Sequence, residues 1–262
     1  MAGAPMPPPA ATLHYLGHAT LMVEMNGRSI LTDPVLGDRV FHLRRRRLSG
    51  RHWYQRQSEP DLLLLSHLHL DHLHLPSLRK LPAHLTIVVP RGAGAWLRFV
   101  IPQTIVELGP GEDLTLGDIT ITATPALHNS KAGLFFALLD LAQGYLIRGA
   151  RTIYFPGDTD LFPEMAAIGD AGLDLALMPV WGWGPTLGAG HLDPYRAAQA
   201  LALLRPRLAI PIHWASFRPL GAIWERASFL HSPGPEFQRL AAAHAPDTAI
   251  HLVAPGDSFD LR

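Results

Sequence analysis

The segment Ser66-His67-Leu68-His69-Leu70-Asp71-His72 places four potential metal ligands within six residues. It directly follows Leu62-Leu-Leu-Leu65, an apolar run short enough for a strand buried on both faces. If the chain stays extended through His67 and His69, period-two geometry sends both imidazoles to the same side. A tight turn at Asp71-His72 then offers a carboxylate and a third imidazole to a neighbouring position. Such a set serves two adjacent cations, because neutral imidazole is the commonest protein metal ligand near pH 7. An isolated histidine in a chain with 15 of them is a surface or satisfied core residue. Four potential ligands behind one buried strand are better explained by metal.

Composition limits what that metal can be bound by. The 262 residues contain no cysteine, so thiolate sites and disulfides are excluded and the ligands must be nitrogen and oxygen. Lys plus Arg equal Asp plus Glu at 22 each, which gives no basic field for nucleic acid. With 48% hydrophobic residues the chain can bury a sizeable core, and its length suits one domain, expected over residues 11–262. Residues 1–10, rich in Pro and Ala, read as a disordered tail without the charged start or apolar run of a secretory signal. No window reaches the roughly 18 to 20 apolar residues of a spanning helix. A cytoplasmic location is therefore expected.

The elements that must position the cluster follow from periodicity. Residues 20–25 and 28–32 read as a hairpin around Asn26-Gly27. Strands are expected at 61–66, 86–89, 119–123, 135–139, 145–148, 152–155, 208–212 and 249–253, with Gln143-Gly144 turning one strand into the next. Helices are expected at 75–81, 92–99 and 235–243. The clearest one begins with Asp193 as N-cap and Pro194 at its first position, and ends near Leu204. Strands come first in each half and helices follow, an order that suits two packed sheets with helices outside, a four-layer α/β arrangement.

The His-x-His-x-Asp-His pattern after a buried strand resembles the metallo-β-lactamase superfamily, and the resemblance covers nearly the whole chain. It implies an αββα sandwich with two divalent metal ions, His67, His69 and His128 holding the first. Asp71, His72 and His213 would hold the second, with Asp158 bridging both. Here His128 stands in Thr-Pro-Ala-Leu-His-Asn, Asp158 in Phe-Pro-Gly-Asp-Thr-Asp and His213 in Ile-Pro-Ile-His-Trp. Gly17-His-Ala-Thr20, Leu31-Thr-Asp-Pro34 and His191-Leu-Asp-Pro194 are similar to one branch. That branch includes the N-acyl-phosphatidylethanolamine-hydrolysing phospholipase D and the L-ascorbate-6-phosphate lactonase.

Several further residues have two readings each. Asp33 is either the carboxylate that receives a ligand imidazole's outer N–H or a turn residue before Pro34. His18 divides the same way. His191, in the Gly-rich loop Thr186-Leu-Gly-Ala-Gly-His, is a general acid or electrostatic clamp, or a structural histidine. Trp181 and Trp183 wall an apolar pocket or pack in the core. Arg44-Arg-Arg-Arg47 is a solvated face or meets an anionic group near the site.

Two cations about 3.5–4 Å apart can lower the pKa of a shared water toward roughly 7, so the expected reaction is metal-assisted hydrolysis. Zinc suits the nitrogen-rich set, and Fe or Mn accept the same donors. The expected substrate is a small-molecule phosphodiester or phosphoester. The alternatives are a lactonase or carboxylic-ester hydrolase with the same site, and a non-catalytic metal-binding protein. Asp158, Asp71 and His191 are the residues expected to act on the reacting groups.

Overall fold

The computed structural model describes residues 9–46, 49–128 and 141–262. In chain order the first half contains β1 (Ala11–Gly17), β2 (Thr20–Met25), β3 (Arg28–Thr32), β4 (Arg39–Val40), β5 (Leu43–Arg45), α1 (Gly50–Tyr54) and β6 (Leu62–Leu64). It continues with α2 (Leu75–Leu78), β7 (Thr86–Pro90), α3 (Gly94–Val100) and β8 (Thr104–Leu108). The second half contains β9 (Asp113–Leu116), β10 (Ile119–Pro125), β11 (Gln143–Arg148), β12 (Thr152–Phe155), α4 (Met165–Gly169) and β13 (Leu175–Pro179). It closes with α5 (Pro194–Leu204), β14 (Leu208–Ile212), β15 (Phe217–Pro219), α6 (Pro233–His244), β16 (Ala249–Ile250) and β17 (Ser258–Leu261).

Two seven-stranded sheets result, ordered β17-β1-β2-β3-β6-β7-β8 and β16-β14-β13-β12-β11-β10-β9, beside a small sheet β15-β5-β4. The four-leucine run shows why they stack. Leu62 and Leu64 face the other sheet, in a core with Leu13, Val23, Ile121, Ile153, Leu177 and Ile212. Leu63 and Leu65 face the opposite way, into a cluster with Leu78 of α2 and Leu97 of α3. In the second sheet Leu175 and Leu177 point into the shared core, while Ala176 and Met178 meet Met165 of α4, Leu201 of α5 and Phe237 of α6. Helices thus cover both outer faces, which makes an αββα sandwich. No helix among the described residues is long and apolar enough to cross a membrane.

Several expected elements form as read. Asn26 and Gly27 join β2 to β3 with φ of 50° and 69°, the left-handed pair of a type I′ turn. Asp193 caps α5 by accepting the Arg196 N–H at 2.8 Å, with Pro194 in the first turn.

Others differ for identifiable reasons. Gln143-Gly144 is no turn: both residues lie in β11, paired with Pro125 and Thr124 of β10. The helix expected at 75–81 stops as α2 at Leu78, after which Lys80 and Leu81 make three-residue turns before Pro82. The Gln103 side chain caps that end by donating to the Leu78 and Leu81 carbonyls. The strand expected at 249–253 pairs only through Ala249 and Ile250, and Val253 leaves the ladder to pack between the sheets. Strand β13, Leu-Ala-Leu-Met-Pro, has no β-branched residue to mark it, and burial on both faces overrides its helical propensity. The strand expected at 135–139 lies outside the described residues.

One contact clamps the sheets beneath the loop ends. The Tyr145 hydroxyl, on β11, donates to the Leu65 carbonyl at 2.7 Å and accepts from Gln143 Nε2 at 2.8 Å. The Gln143 N–H donates to the Ser66 carbonyl at 3.0 Å. Tyr145→Phe leaves the buried Gln143 amide without its acceptor, so it is expected to cost about 1–3 kcal/mol. A urea midpoint unchanged from that of the parent protein would show that this clamp contributes nothing.

Candidate metal centre

The residues singled out by type and spacing gather along one edge of the sandwich. Asp33 follows β3, His67 and His69 follow β6, His128 follows β10, Asp158 follows β12 and His213 follows β14. In open sheets the carboxyl ends of parallel strands are where ligands bind, because the loops there diverge around a crevice. His18 sits in the turn between β1 and β2. Asp71 and His72 lie in the bend where the His72 N–H returns to the His69 carbonyl at 2.9 Å.

Among the described residues four overlapping groups of donors result, including Asp33, His67 and His72, and His128, Asp158 and His191, and two of them are the main ones. One ligand atom each from His67, His69 and His128 lies within 4.8 Å of the others, and the same holds for His18, Asp71, His72 and His213. Asp158 stands between these two groups. Its Oδ2 is 3.3 Å from His72 Nε2, 3.3 Å from His191 Nε2 and 3.9 Å from His67 Nε2, and its Oδ1 is 3.1 Å from His213 Nε2.

The outer nitrogen of four rings is anchored, which turns the inner lone pair toward this centre. His72 Nδ1 donates to Asp33 Oδ2 at 2.7 Å, His128 Nδ1 to the Gly190 carbonyl at 2.7 Å, and His213 Nδ1 to the Trp181 carbonyl at 2.7 Å. His67 Nδ1 donates to Ser66 Oγ at 2.9 Å, and that hydroxyl donates on to Asp33 Oδ2 at 2.6 Å. Asp33 also accepts the Ser66 N–H at 2.8 Å, so one carboxylate orients the supports of two rings. His18 Nε2 meets Asp71 Oδ2 at 2.8 Å, and its ring lies tilted against His213 with centroids 3.8 Å apart.

Backbone strain is concentrated here. His18, Asp33 and His213 have φ of 61°, 33° and 63°, a region that costs non-glycine residues of order 1–3 kcal/mol. Gly157, at φ 64°, delivers Asp158, and a Cβ on it would lie 2.4 Å from Ser66 Cβ. Only glycine permits that approach.

These donors fit cations. His72 Nε2 faces His213 Nε2 at 3.0 Å, and His69 Nδ1 faces His128 Nε2 at 3.0 Å. Facing lone pairs at that distance need a proton or a cation between them. His67 Nε2 and Asp158 Oδ1 are buried with no hydrogen-bond partner. Burial holds His67 and His213 well below the usual imidazole range and brings His69 down to about 4, leaving neutral rings to donate lone pairs. Burial opposes the Asp71 and Asp158 charges, but surrounding imidazoles outweigh it and keep both carboxyls well below their usual range. His72, against burial, is raised by Asp158 and Asp33.

The remaining expectations divide. Trp183 lines the cavity above this centre, whereas Trp181 is not among its lining residues and acts through its carbonyl on His213. The arginine run divides among its described members: Arg44 is exposed, as a solvated face requires, whereas Arg45 and Arg46 are taken up by the fold. Arg45 is buried, donates to the Val35, Gly37 and Leu16 carbonyls and lies over the Phe217 ring at 4.5 Å. Arg46 donates to the Ala215 and Leu230 carbonyls at 3.1 Å each. Arg47 lies outside the described residues. Three supports escape sequence reasoning: Ser66 and the carbonyls of Trp181 and Gly190. Ser66, next to His67 and after a buried strand, carried a usable signal; carbonyls carry none.

The beta-lactamase superfamily domain matches residues 28–214, and the chain belongs to that superfamily. A metal-dependent hydrolase of Nitratidesulfovibrio vulgaris is 30% identical over 264 residues, covering 94% of this chain and 93% of that protein. The N-acyl-phosphatidylethanolamine-hydrolyzing phospholipase D 1 of Caenorhabditis elegans is 31% identical over 232 residues, 79% of this chain and 64% of that protein. Among solved structures, Igni18, a metallo hydrolase from Ignicoccus hospitalis, shares the fold at a TM-score of 0.71 and 23% identity, over 95% of this chain and 97% of that one.

Asp33→Asn tests the supporting shell. It keeps the side-chain shape but removes the acceptor charge behind His72 and Ser66, so affinity for Zn(II) should fall about 10–100-fold. Competition with a chromogenic chelator measures it, and unchanged affinity in a folded variant would remove Asp33 from that role.

Proposed function

We propose that this chain is a hydrolase holding two divalent cations, one among His67, His69 and His128 and one among Asp71, His72 and His213, with Asp158 between them. The observation that carries this reading is the convergence of inward-facing imidazole lone pairs on one buried carboxylate at the floor of an open cavity. Nitrogen and oxygen donors without thiolate suit Zn, and Fe or Mn accept the same set. Two such cations, when bound, supply Lewis acidity and, at neutral pH, a hydroxide nucleophile drawn from water.

The chain's own residues do the rest. Asp158, reaching both groups, fixes their separation. Asp33, through His72 and Ser66, keeps the rings from swinging away. His191 reaches the same floor from its loop, with Nδ1 3.2 Å from the Gly188 and Ala189 carbonyls and Nε2 3.3 Å from Asp158 Oδ2. Acceptors at both nitrogens favour the doubly protonated ring, which can hand the Nε2 proton to a leaving oxygen.

Hydrolysis of a small-molecule phosphodiester is the leading reading, supported by similarity to a relative named for hydrolysing N-acyl-phosphatidylethanolamine. Hydrolysis of a lactone or carboxylic ester is the second. It is favoured by a cavity whose described lining residues include no lysine or arginine to meet an anion.

Elemental analysis should find about two metal equivalents, as the paired donor groups require. Chelation should abolish turnover of bis-p-nitrophenyl phosphate or of an aryl ester, and added metal should restore it; the relative rates separate the two readings. Asp158→Ala should lose activity together with more than one metal equivalent. A parental rate in that variant would overturn the mechanism. His191→Ala should retain both metals while kcat falls about 10²–10⁴-fold; lost metal would make His191 a ligand instead.

A further inference from the structure

We infer that the site takes a substrate whose group beside the scissile bond is apolar and uncharged, an inference that rests on the metal-centre reading above. The cavity over Asp71 and Asp158 has a volume of about 500 Å³, within the range of small-molecule sites. Its walls are mostly apolar, built by Val40, Phe41, Leu43, Leu70, Trp183 and Leu187, with His42 and Thr186 as the polar side chains among them. Trp183 is held in place by an edge contact with His42 at 5.2 Å and by packing on the cluster of Val35, Val40, Leu43 and Phe217. Phe41 and Leu70 stand at the mouth with 76% and 44% of their surface exposed, apolar area that only an apolar ligand relieves.

Charge points the same way. Among the described residues, no lysine or arginine lines the cavity. Of the described cations nearby, Arg45 is committed to backbone carbonyls and Arg218 to Glu225, while Arg39 is exposed on β4 beside buried Val40, so strand alternation turns it away from the wall that Val40 builds. Arg44 is exposed on β5 between buried Leu43 and Arg45, so strand alternation turns it away from the wall that Leu43 builds. The one negative charge of a phosphodiester can be met at the floor. A second charge on the substituent would lie against mostly apolar walls with no described lysine or arginine to pair with, where an ion is costly. The site therefore selects diesters or esters with aliphatic or aromatic substituents, against sugar phosphates and nucleotides.

A matched pair of hydroxamates tests this without turnover, since the hydroxamate anchors at the metals and the chain occupies the cavity. Calorimetric titration of the metal-loaded protein with octanohydroxamic acid should give affinity about tenfold or more above that for suberic monohydroxamic acid, which ends in a carboxylate. Trp183→Ala and, separately, Leu187→Ser should narrow that ratio to about threefold or less, chiefly by weakening the apolar compound. Equal affinities in the parent protein, or a ratio that survives both substitutions, would overturn the inference while leaving the metal centre standing. Binding of neither compound would overturn the metal-centre reading and the inference with it.

Discussion

Imidazole lone pairs and carboxylates crowded into a water-poor floor repel one another unless a proton or a cation lies between them. Here five histidines and two aspartates meet within a few ångströms, two nitrogen pairs facing each other at 3.0 Å. Dry surroundings sharpen the conflict, because unpaired charge is costly there. The rest of the structure is arranged to hold this arrangement open. Rings that could turn away are pinned from behind by Asp33, Ser66 and backbone carbonyls, so the inner electron pairs have nowhere else to point.

Holding them demands rigidity that loops alone do not supply. Each loop end springs from a strand inside a packed sheet, and the β6 end is tied to the second sheet through Tyr145 and Gln143. The His213 N–H reaches the His18 carbonyl at 2.9 Å, joining the β14 end to the β1–β2 turn. Left-handed backbone at His18, Asp33 and His213 is tolerated because packing over-determines it. The strain sits where the chemistry is placed.

The wall above the floor has the opposite character. Its side chains are mostly apolar, and of the arginines in the nearby sequence Arg45 and Arg46 are spent on structure while Arg44 faces solvent. Arg45, the buried last residue of β5, donates to the Val35 and Gly37 carbonyls of the loop that follows β3. A charge-rich stretch of sequence thus contributes scaffolding, and an electrically quiet cavity opens over a strongly polar floor.

The candidate donors and the order of layers were legible in the sequence. His67, His69, Asp71 and His72 are local in the chain, and strand geometry alone sends alternate residues to one side, so their candidacy as joint donors could be read without the fold. Hydrophobic runs such as Leu62–Leu64, and the cap at Asp193, are equally local signals. Only the tertiary structure decided which groups support the rings, because carbonyls of Trp181 and Gly190 have no side-chain signature. It also decided that Gln143-Gly144 continues a strand and that Arg45 is buried, since both depend on partners far away in sequence. Local chemistry writes what a residue can do; which neighbour it meets is settled by the packing of the two sheets.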